Sequence, residues 1–384
     1  MNFANWEDAR DLAKRRLPKI FFDFIDGAAF SERTAHANMA DFDAWIFEQQ
    51  VLVDVSDRDI STTFLGIKRR MPFMLAPIGF GGLLAPRGEI QAARAAHAVN
   101  MPYCLSNFGI ISLEQLRAAT DGPIWFQLYV LRDRTLSEKL IQRAENIGVE
   151  ALCITVDSQV KSVRERDTRS GFRNLTKVTP RLALSLMTRP VWCWHAMRAG
   201  PLRINNLAEY PEYGANALEQ AANLGNLIEA AMTWDDIKRF RDRWKGKLVI
   251  KGILNARDAV RCAEIGADAI IVSNHGGRQL DGTHSTISIL PEIAAAAGER
   301  TDILFDGGIR RGTDIVKAMA LGAKGVLLGR AYTYALAAGG EDGVTRLIDL
   351  LATEMDVTIG HMGISQVTDL YRRRAEIMRA AGKI

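Results

Sequence analysis

The chain has 384 residues, enough for one large domain or two ordinary ones, each with a full core. Lys and Arg exceed Asp and Glu by 49 − 45 = 4, too little to point to nucleic acid, and a mean hydropathy of −0.04 is that of an ordinary globular chain. No apolar run approaches the ~18 residues a bilayer span needs, the start MNFANWEDAR is no secretory signal, and Cys104, Cys153, Cys193 and Cys262 lack metal-ligand spacing, so a cytoplasmic protein without a metal site is expected.

In chain order, residues 1–70 open with the helical stretch WEDARDLAKRRL, stopped at Pro18, and are expected to plug or lid the fold built by the rest of the chain. Eight short apolar runs then recur: 72–77, 102–106, 124–129, 151–156, 247–251, 269–273, 302–305 and 325–329. Most are separated by stretches with helical apolar periodicity, such as EIQAARAAHAV and SEKLIQRAENI. NIGVEALCITV, EIGADAIIVS and ALGAKGVLLG echo one another, each ending a helix at a glycine (Gly148, Gly266, Gly322) before a strand. Strand, helix, strand, repeated eight times over roughly 260 residues, predicts an α/β fold of the (β/α)8 TIM-barrel type, with an N-terminal helical extension. A doubly wound sheet is the alternative, but no GxGxxG follows the first strand.

Residues 158–232 form a long insertion after strand 4, far beyond an ordinary βα loop. Between Lys161 and Arg203 it carries ten basic residues against two acids, Glu165 and Asp167, together with Trp192 and Trp194. Such a segment is either a solvated loop or a surface for anionic partners.

The C-terminal ends of all eight runs carry polar or glycine residues, and that rim is where barrel active sites lie. SNHGGRQLDG, after the sixth run, places His275 three residues from Arg278, a proton carrier beside a forked cation. By itself His275 could simply cap the strand. Lys251 ends an apolar strand, where an ammonium needs an anion opposite it. Asp157 could orient His275, and Arg164 could reach over the same mouth. Gly307, Gly308 and Arg310, then Gly329 and Arg330, repeat a phosphate-binding device on two successive strands.

Taken together, SNHGGRQLDG, LVIKGIL, QLYV, ITVD, RERD, DGGIRRGTDIVKAMALGA and LLGR resemble the FMN-dependent 2-hydroxy-acid dehydrogenase/oxidase family, over nearly the whole chain. The resemblance implies FMN as cofactor and oxidation of a small-molecule (S)-2-hydroxy acid to the 2-oxo acid. Its electrons would pass to a quinone or another carrier, or to oxygen in an oxidase, and the assembly would be a homotetramer. It makes His275 the base, Asp157 its partner, Arg278 the carboxylate clamp, Tyr129 the active-site phenol and Arg164 a second substrate cation. Lys251 would sit at the flavin N1/O2 edge. Ala76, Pro77, Ile78, Gly79, Ser106, Gln127, Thr155 and Ser273 would contact the isoalloxazine, and Asp306, Gly308, Arg310, Gly329 and Arg330 the ribityl phosphate. Phe24 stands where the family usually has a tyrosine that hydrogen-bonds the substrate carboxylate, and Phe108 where glycolate oxidase has tryptophan. Gly79 stands where oxidases tend to carry alanine, which favours a dehydrogenase. In the membrane-bound mandelate dehydrogenase the insertion is the anchor, so residues 176–205 are a candidate contact with an anionic membrane surface, peripheral on the cytoplasmic side.

Overall fold

A computed structural model describes residues 3–172, 180–214 and 216–382. Eight parallel strands, β1 (Phe73–Leu75), β2 (Tyr103–Ser106), β3 (Ile124–Leu128), β4 (Ala151–Thr155), β5 (Lys247–Ile253), β6 (Ala269–Val272), β7 (Asp302–Asp306) and β8 (Gly325–Leu328), pair in chain order and close into the expected barrel. Closure is made by β8 against β1, with Val326 opposite Phe73. Opposed strands cover the inner face of each strand and helices the outer, so β2, β3, β4 and β6 are buried along their whole length, which is why their sequences read as unbroken apolar runs. The helices carry their own punctuation. Asp133 caps Arg134–Ile147 by accepting from the Leu136 N–H at 3.1 Å, and Gly148 ends it at φ 70°.

The N-terminal extension serves both ends of the barrel. A hairpin of Thr62–Phe64 and Ile67–Arg69 covers the end where strands begin. There Phe64 meets Trp125 edge-on at 6.1 Å, and buried Arg69 pairs with Glu150, which also accepts from the Trp125 indole at 2.8 Å. Helices Lys19–Asp26 and Arg33–Ala40 lie over the opposite rim, where Asn38 and Asn274 exchange amide hydrogen bonds, each 2.8 Å.

One carboxylate, Asp26, gathers the insertion and this lid. Asp26 accepts from Arg10 at 2.6 and 2.8 Å, from Arg166 at 2.6 Å and from the Tyr334 hydroxyl at 2.8 Å, joining the first helix, the insertion and the helical segment Arg330–His361. Arg166 also reaches Glu32, Arg169 pairs with Glu165, and Arg164 approaches Asp167. Arg164 and Arg166 are therefore held within the body, whereas Lys161 and Arg169 stay exposed; Arg173 and Lys177 lie outside the described residues.

Beyond it come two short helices, Pro180–Met187 and Pro190–Ala199, the second carrying both tryptophans on different faces. Trp192 packs at a tilt against Phe21, ring centroids 4.9 Å apart, and donates its indole N–H to the Leu83 carbonyl at 2.9 Å. Trp194 faces solvent beside Leu184, Met187, Val191 and Met197, with the Arg198 guanidinium 4.3 Å over its ring. Among the described residues no helix is long and apolar enough to cross a membrane.

Burial would raise the Asp26 carboxyl pKa, but Arg10, Tyr334 and Arg166 hold it down, from 3.8 to about 2. A depressed carboxylate stabilises the fold above its unfolded pKa and loses that contribution as pH falls through its folded one. Asp26→Asn should therefore cost roughly 2 kcal/mol or more at pH 7. The gap to the parent should narrow between pH 4 and 2, read from urea-unfolding midpoints at several pH values.

Candidate active site

The strand ends meet in a ring of buried charge. Lys251, 4 % exposed on β5, places its Nζ 2.8 Å from Asp306 Oδ2 at the end of β7 and 2.7 Å from the Ser273 hydroxyl after β6. Burial opposes its charge, yet Asp306 and Asp157 more than offset that and hold the ammonium above the usual lysine range. Directly after Lys251 the pairing of β5 with β6 slips at a bulge. Gly252 sits there at φ 108°, and a Cβ would lie 2.7 Å from the Asp157 side chain, so only glycine lets the carboxylate approach.

His275 leaves β6 in a left-handed conformation, φ 59°, a strained choice for a non-glycine residue. Its N–H is caught by the Ser273 hydroxyl at 3.1 Å. Its Nδ1 lies 3.0 Å from Asp157 Oδ1, and its Nε2 lies 3.1 Å from the Tyr129 hydroxyl. An ionised carboxylate only accepts, so Nδ1 carries the proton and Nε2 presents a lone pair toward the cleft. Burial pushes the imidazole pKa below its ordinary value, Lys251 and Arg164 act the same way, and Asp157 opposes them. Burial alone would raise Asp157, but His275 and Lys251 keep its pKa below the usual carboxylate value. Burial, with Asp157 adding to it, pushes the Tyr129 phenol up to about 12, so at neutral pH it is a donor. Such an arrangement can accept a proton at Nε2 near neutral pH and stabilise the imidazolium that results.

Two guanidinium groups flank this base. Arg278 donates to the Gly27 carbonyl at 2.6 Å and lies 5.2 Å over the Phe24 ring; Arg164, 8 % exposed, donates to the Arg278 carbonyl at 3.1 Å. Phe24 is thus a cation–π platform under Arg278 where a phenol would be a donor. It stacks on Phe172 at 4.4 Å and meets Phe80 edge-on at 6.1 Å, while Phe108 stacks on Tyr129 at 4.9 Å. These rings form an apolar wall against which Arg278 lies.

At the other end of the cleft, Gly308 stands at φ 83°, and a Cβ there would fall 1.8 Å from the Asn38 carbonyl. Arg310 lies over Trp6 at 5.1 Å, and its buried Nε has no protein partner. Arg330 spends three N–H groups on the carbonyls of Ile25, Gly276 and Gly27, at 3.1, 2.8 and 2.8 Å, which straps the lid to the His275 loop.

Of the residues singled out from sequence, Phe24, Ala76, Pro77, Ile78, Gly79, Phe108, Tyr129, Thr155, Arg164, Lys251, His275, Arg278, Asp306, Gly308, Arg310, Gly329 and Arg330 line one cleft. Ser106, Gln127, Asp157 and Ser273 stand behind it. Ser106 accepts from the Phe108 N–H at 3.2 Å, and Gln127 donates to Thr155 at 3.0 Å. Phe80, Phe172 and the insertion helix Ala217–Leu227, through Ala221 and Gly225, also line the cleft and escaped sequence reasoning. An apolar residue far along an insertion carries no local mark of the wall it will join.

Residues 13–377 match the FMN-dependent dehydrogenase family. The chain is 46 % identical over 373 residues to the L-lactate dehydrogenase of Caulobacter vibrioides, covering 96 % of this chain and 97 % of that one. Its fold superposes on the monotopic membrane protein (S)-mandelate dehydrogenase with a TM-score of 0.94 at 37 % identity, covering 99 % and 100 % of the two chains. A mandelate oxidase solved with (S)-4-hydroxymandelic acid gives 0.85 at 34 %, each chain covered to 99 %. The chain therefore belongs to the FMN-dependent dehydrogenase family. Its activity is that of an FMN-dependent 2-hydroxy-acid dehydrogenase.

The residues present suit FMN. Buried Gln127 Oε1 lacks a donor and buried Arg310 Nε lacks an acceptor, complementary to a flavin ring N–H and to a phosphate. Arg310→Ala should weaken FMN binding about 10- to 150-fold, the worth of one charge-assisted hydrogen bond of ~1.5–3 kcal/mol, and barely change riboflavin binding. Titration of the apoprotein with both flavins checks this; equal losses would place Arg310 away from the phosphate.

Proposed function

We propose that the chain oxidises an (S)-2-hydroxy acid to the 2-oxo acid, with His275 Nε2 as the base. The observation that carries this reading is the Asp157–His275–Tyr129 line, 3.0 and 3.1 Å, facing a cleft that also holds Arg278 and Arg164. Arg278 and Arg164 fix the substrate carboxylate, which turns the hydroxyl-bearing carbon toward Nε2. The substrate loses two electrons and two protons: His275 takes one proton while Asp157 steadies the imidazolium, and the other would leave with the electron pair to the bound acceptor. Bound FMN supplies the two-electron acceptor, and Lys251 gives the positive charge that favours its reduced anion. Tyr129, neutral throughout, keeps a hydrogen bond on the reacting oxygen.

The wall of Phe24, Phe80, Phe108 and Phe172 supports a substrate with a bulky or aromatic side chain over a small one, because each ring replaces water at that face. His275→Ala should retain FMN and lose ~10²–10⁴ or more in the anaerobic flavin-reduction rate. In the parent that rate should rise with pH through a limb below the ordinary histidine value. A hydroxy-acid panel, read with oxygen and with a quinone analogue, completes the test: aromatic acids should exceed lactate in kcat/KM, and the quinone should exceed oxygen. Unchanged reduction in His275→Ala would remove the base assignment.

The acceptor reading is supported by Gly79 and by the insertion. Exposed Leu184, Met187, Val191, Trp194 and Met197 form an apolar stripe across two short helices, with Arg189 and Arg198 among them. That composition suits peripheral attachment to an anionic membrane on the cytoplasmic side, where a quinone would be at hand. The triple variant Val191→Asp, Trp194→Asp, Met197→Asp should lose sedimentation with anionic vesicles at least tenfold while keeping turnover with a soluble acceptor. Binding of the parent should weaken with salt, as about 1 kcal/mol per basic residue near the surface requires. A parent enzyme that stays in the supernatant at low salt would contradict the attachment.

A further inference from the structure

Asp157 is followed by a residue that the family resemblance leaves without a role. Ser158 is 5 % exposed, and its side chain turns back on its neighbour: Oγ lies 3.0 Å from Asp157 Oδ1 and 3.5 Å from His275 Nδ1. From the other side the Gln279 side-chain amide donates to the same Oγ. We propose that Ser158 is a positioning residue that sets the basicity of His275, by donating a hydrogen bond to the same carboxylate oxygen that holds the imidazole.

The direction of that bond follows from its surroundings. The Gln279 amide nitrogen has no lone pair to offer, and His275 Nδ1 already carries a proton, so neither can accept from the serine. The acceptor left to it is Asp157 Oδ1. Asp157 Oδ2 is buried and has no hydrogen-bond partner, so both bonds of the carboxylate converge on one oxygen. The groups that face His275 are Asp157 at the end of β4, Lys251 on β5, Tyr129 after β3, Arg164 from the insertion and Arg278 on its own loop. Asp157 is the anion among them. A second donor on its oxygen withdraws charge from the imidazole, so the imidazolium is less stabilised and His275 stays neutral, and therefore basic, at lower pH. The same stretch grips the His275 loop twice more, through the Ser162 hydroxyl on the Gln279 carbonyl at 2.7 Å and Arg164 on the Arg278 carbonyl at 3.1 Å. The start of the insertion thereby adjusts the base as well as covering it.

This inference rests on His275 being the base, and the test separates the two. Anaerobic flavin reduction of the FMN-loaded enzyme is followed against pH for the parent, Ser158→Ala, Ser158→Thr, Ser158→Cys and His275→Gln. Ser158→Ala should move the acid limb up by about 0.5–1 pH unit, which slows reduction roughly 3- to 10-fold on the acid side. On the alkaline plateau the rate and KM should stay within about twofold, since the Ser158 hydroxyl at the cleft wall is spent on Asp157 and Gln279. Ser158→Thr should restore the parent limb and Ser158→Cys, a weaker donor, should fall between; these two decide the matter if Ser158→Ala does not load FMN. A Ser158→Ala profile that superimposes on the parent, or a uniform fall at every pH, overturns the role of Ser158. An acid limb that persists in the residual activity of His275→Gln overturns the base assignment, whatever Ser158 does.

Discussion

A lysine ammonium that is 4 % exposed can exist only among acceptors and anions, and the architecture of this active site follows from that constraint at Lys251. Unpaired, it would cost several kcal/mol; here Asp306, Ser273 and Asp157 surround it. Those partners sit at the ends of β7, β6 and β4, so the charge is satisfied only when the barrel is closed and in register. The pairing also sets the chemistry. Asp157, held ionised between Lys251 and His275, fixes the imidazole tautomer, and Lys251 lowers the proton affinity of the same ring.

Around that ring the lid is assembled by charge as much as by apolar packing. Asp26 gathers Arg10, Arg166 and Tyr334, and Arg330 gathers the carbonyls of Ile25, Gly27 and Gly276. The N-terminal extension, the insertion and the His275 loop are therefore clamped to one another. Within that clamp Arg278 lies over the Phe24 ring, so Phe24, which cannot donate a hydrogen bond, holds the guanidinium by a cation–π contact.

Much of this was legible in the chain. The eight runs became the eight strands because a sheet buried on both faces must be apolar throughout, a property visible in any window of five residues. That His275, Lys251 and Arg278 would share one rim was legible because they fall at or just beyond the C-terminal ends of such runs, the end of a barrel where polar side chains gather. Trp192 and Trp194 were not separable: two positions apart on one helix they point in different directions, one onto Phe21 and one to solvent. Ser158 was invisible too, since a serine after an aspartate is unremarkable until Gln279, 121 residues away, is seen to hold its oxygen.

By itself the sequence determined the barrel, its strand order and the rim that carries the chemistry, because each depends on local periodicity and on residues at fixed offsets from a strand end. Tertiary structure alone decided which oxygen of Asp157 is shared, that Arg330 straps the lid to the His275 loop, and which rings from the extension and the insertion wall the cleft. Those outcomes depend on distances between segments far apart in the chain, 117 residues for Ser158 and His275 and 305 for Ile25 and Arg330. Hydrogen bonds and ring contacts act over a few ångströms, and no one-dimensional pattern encodes which distant groups will come within that range.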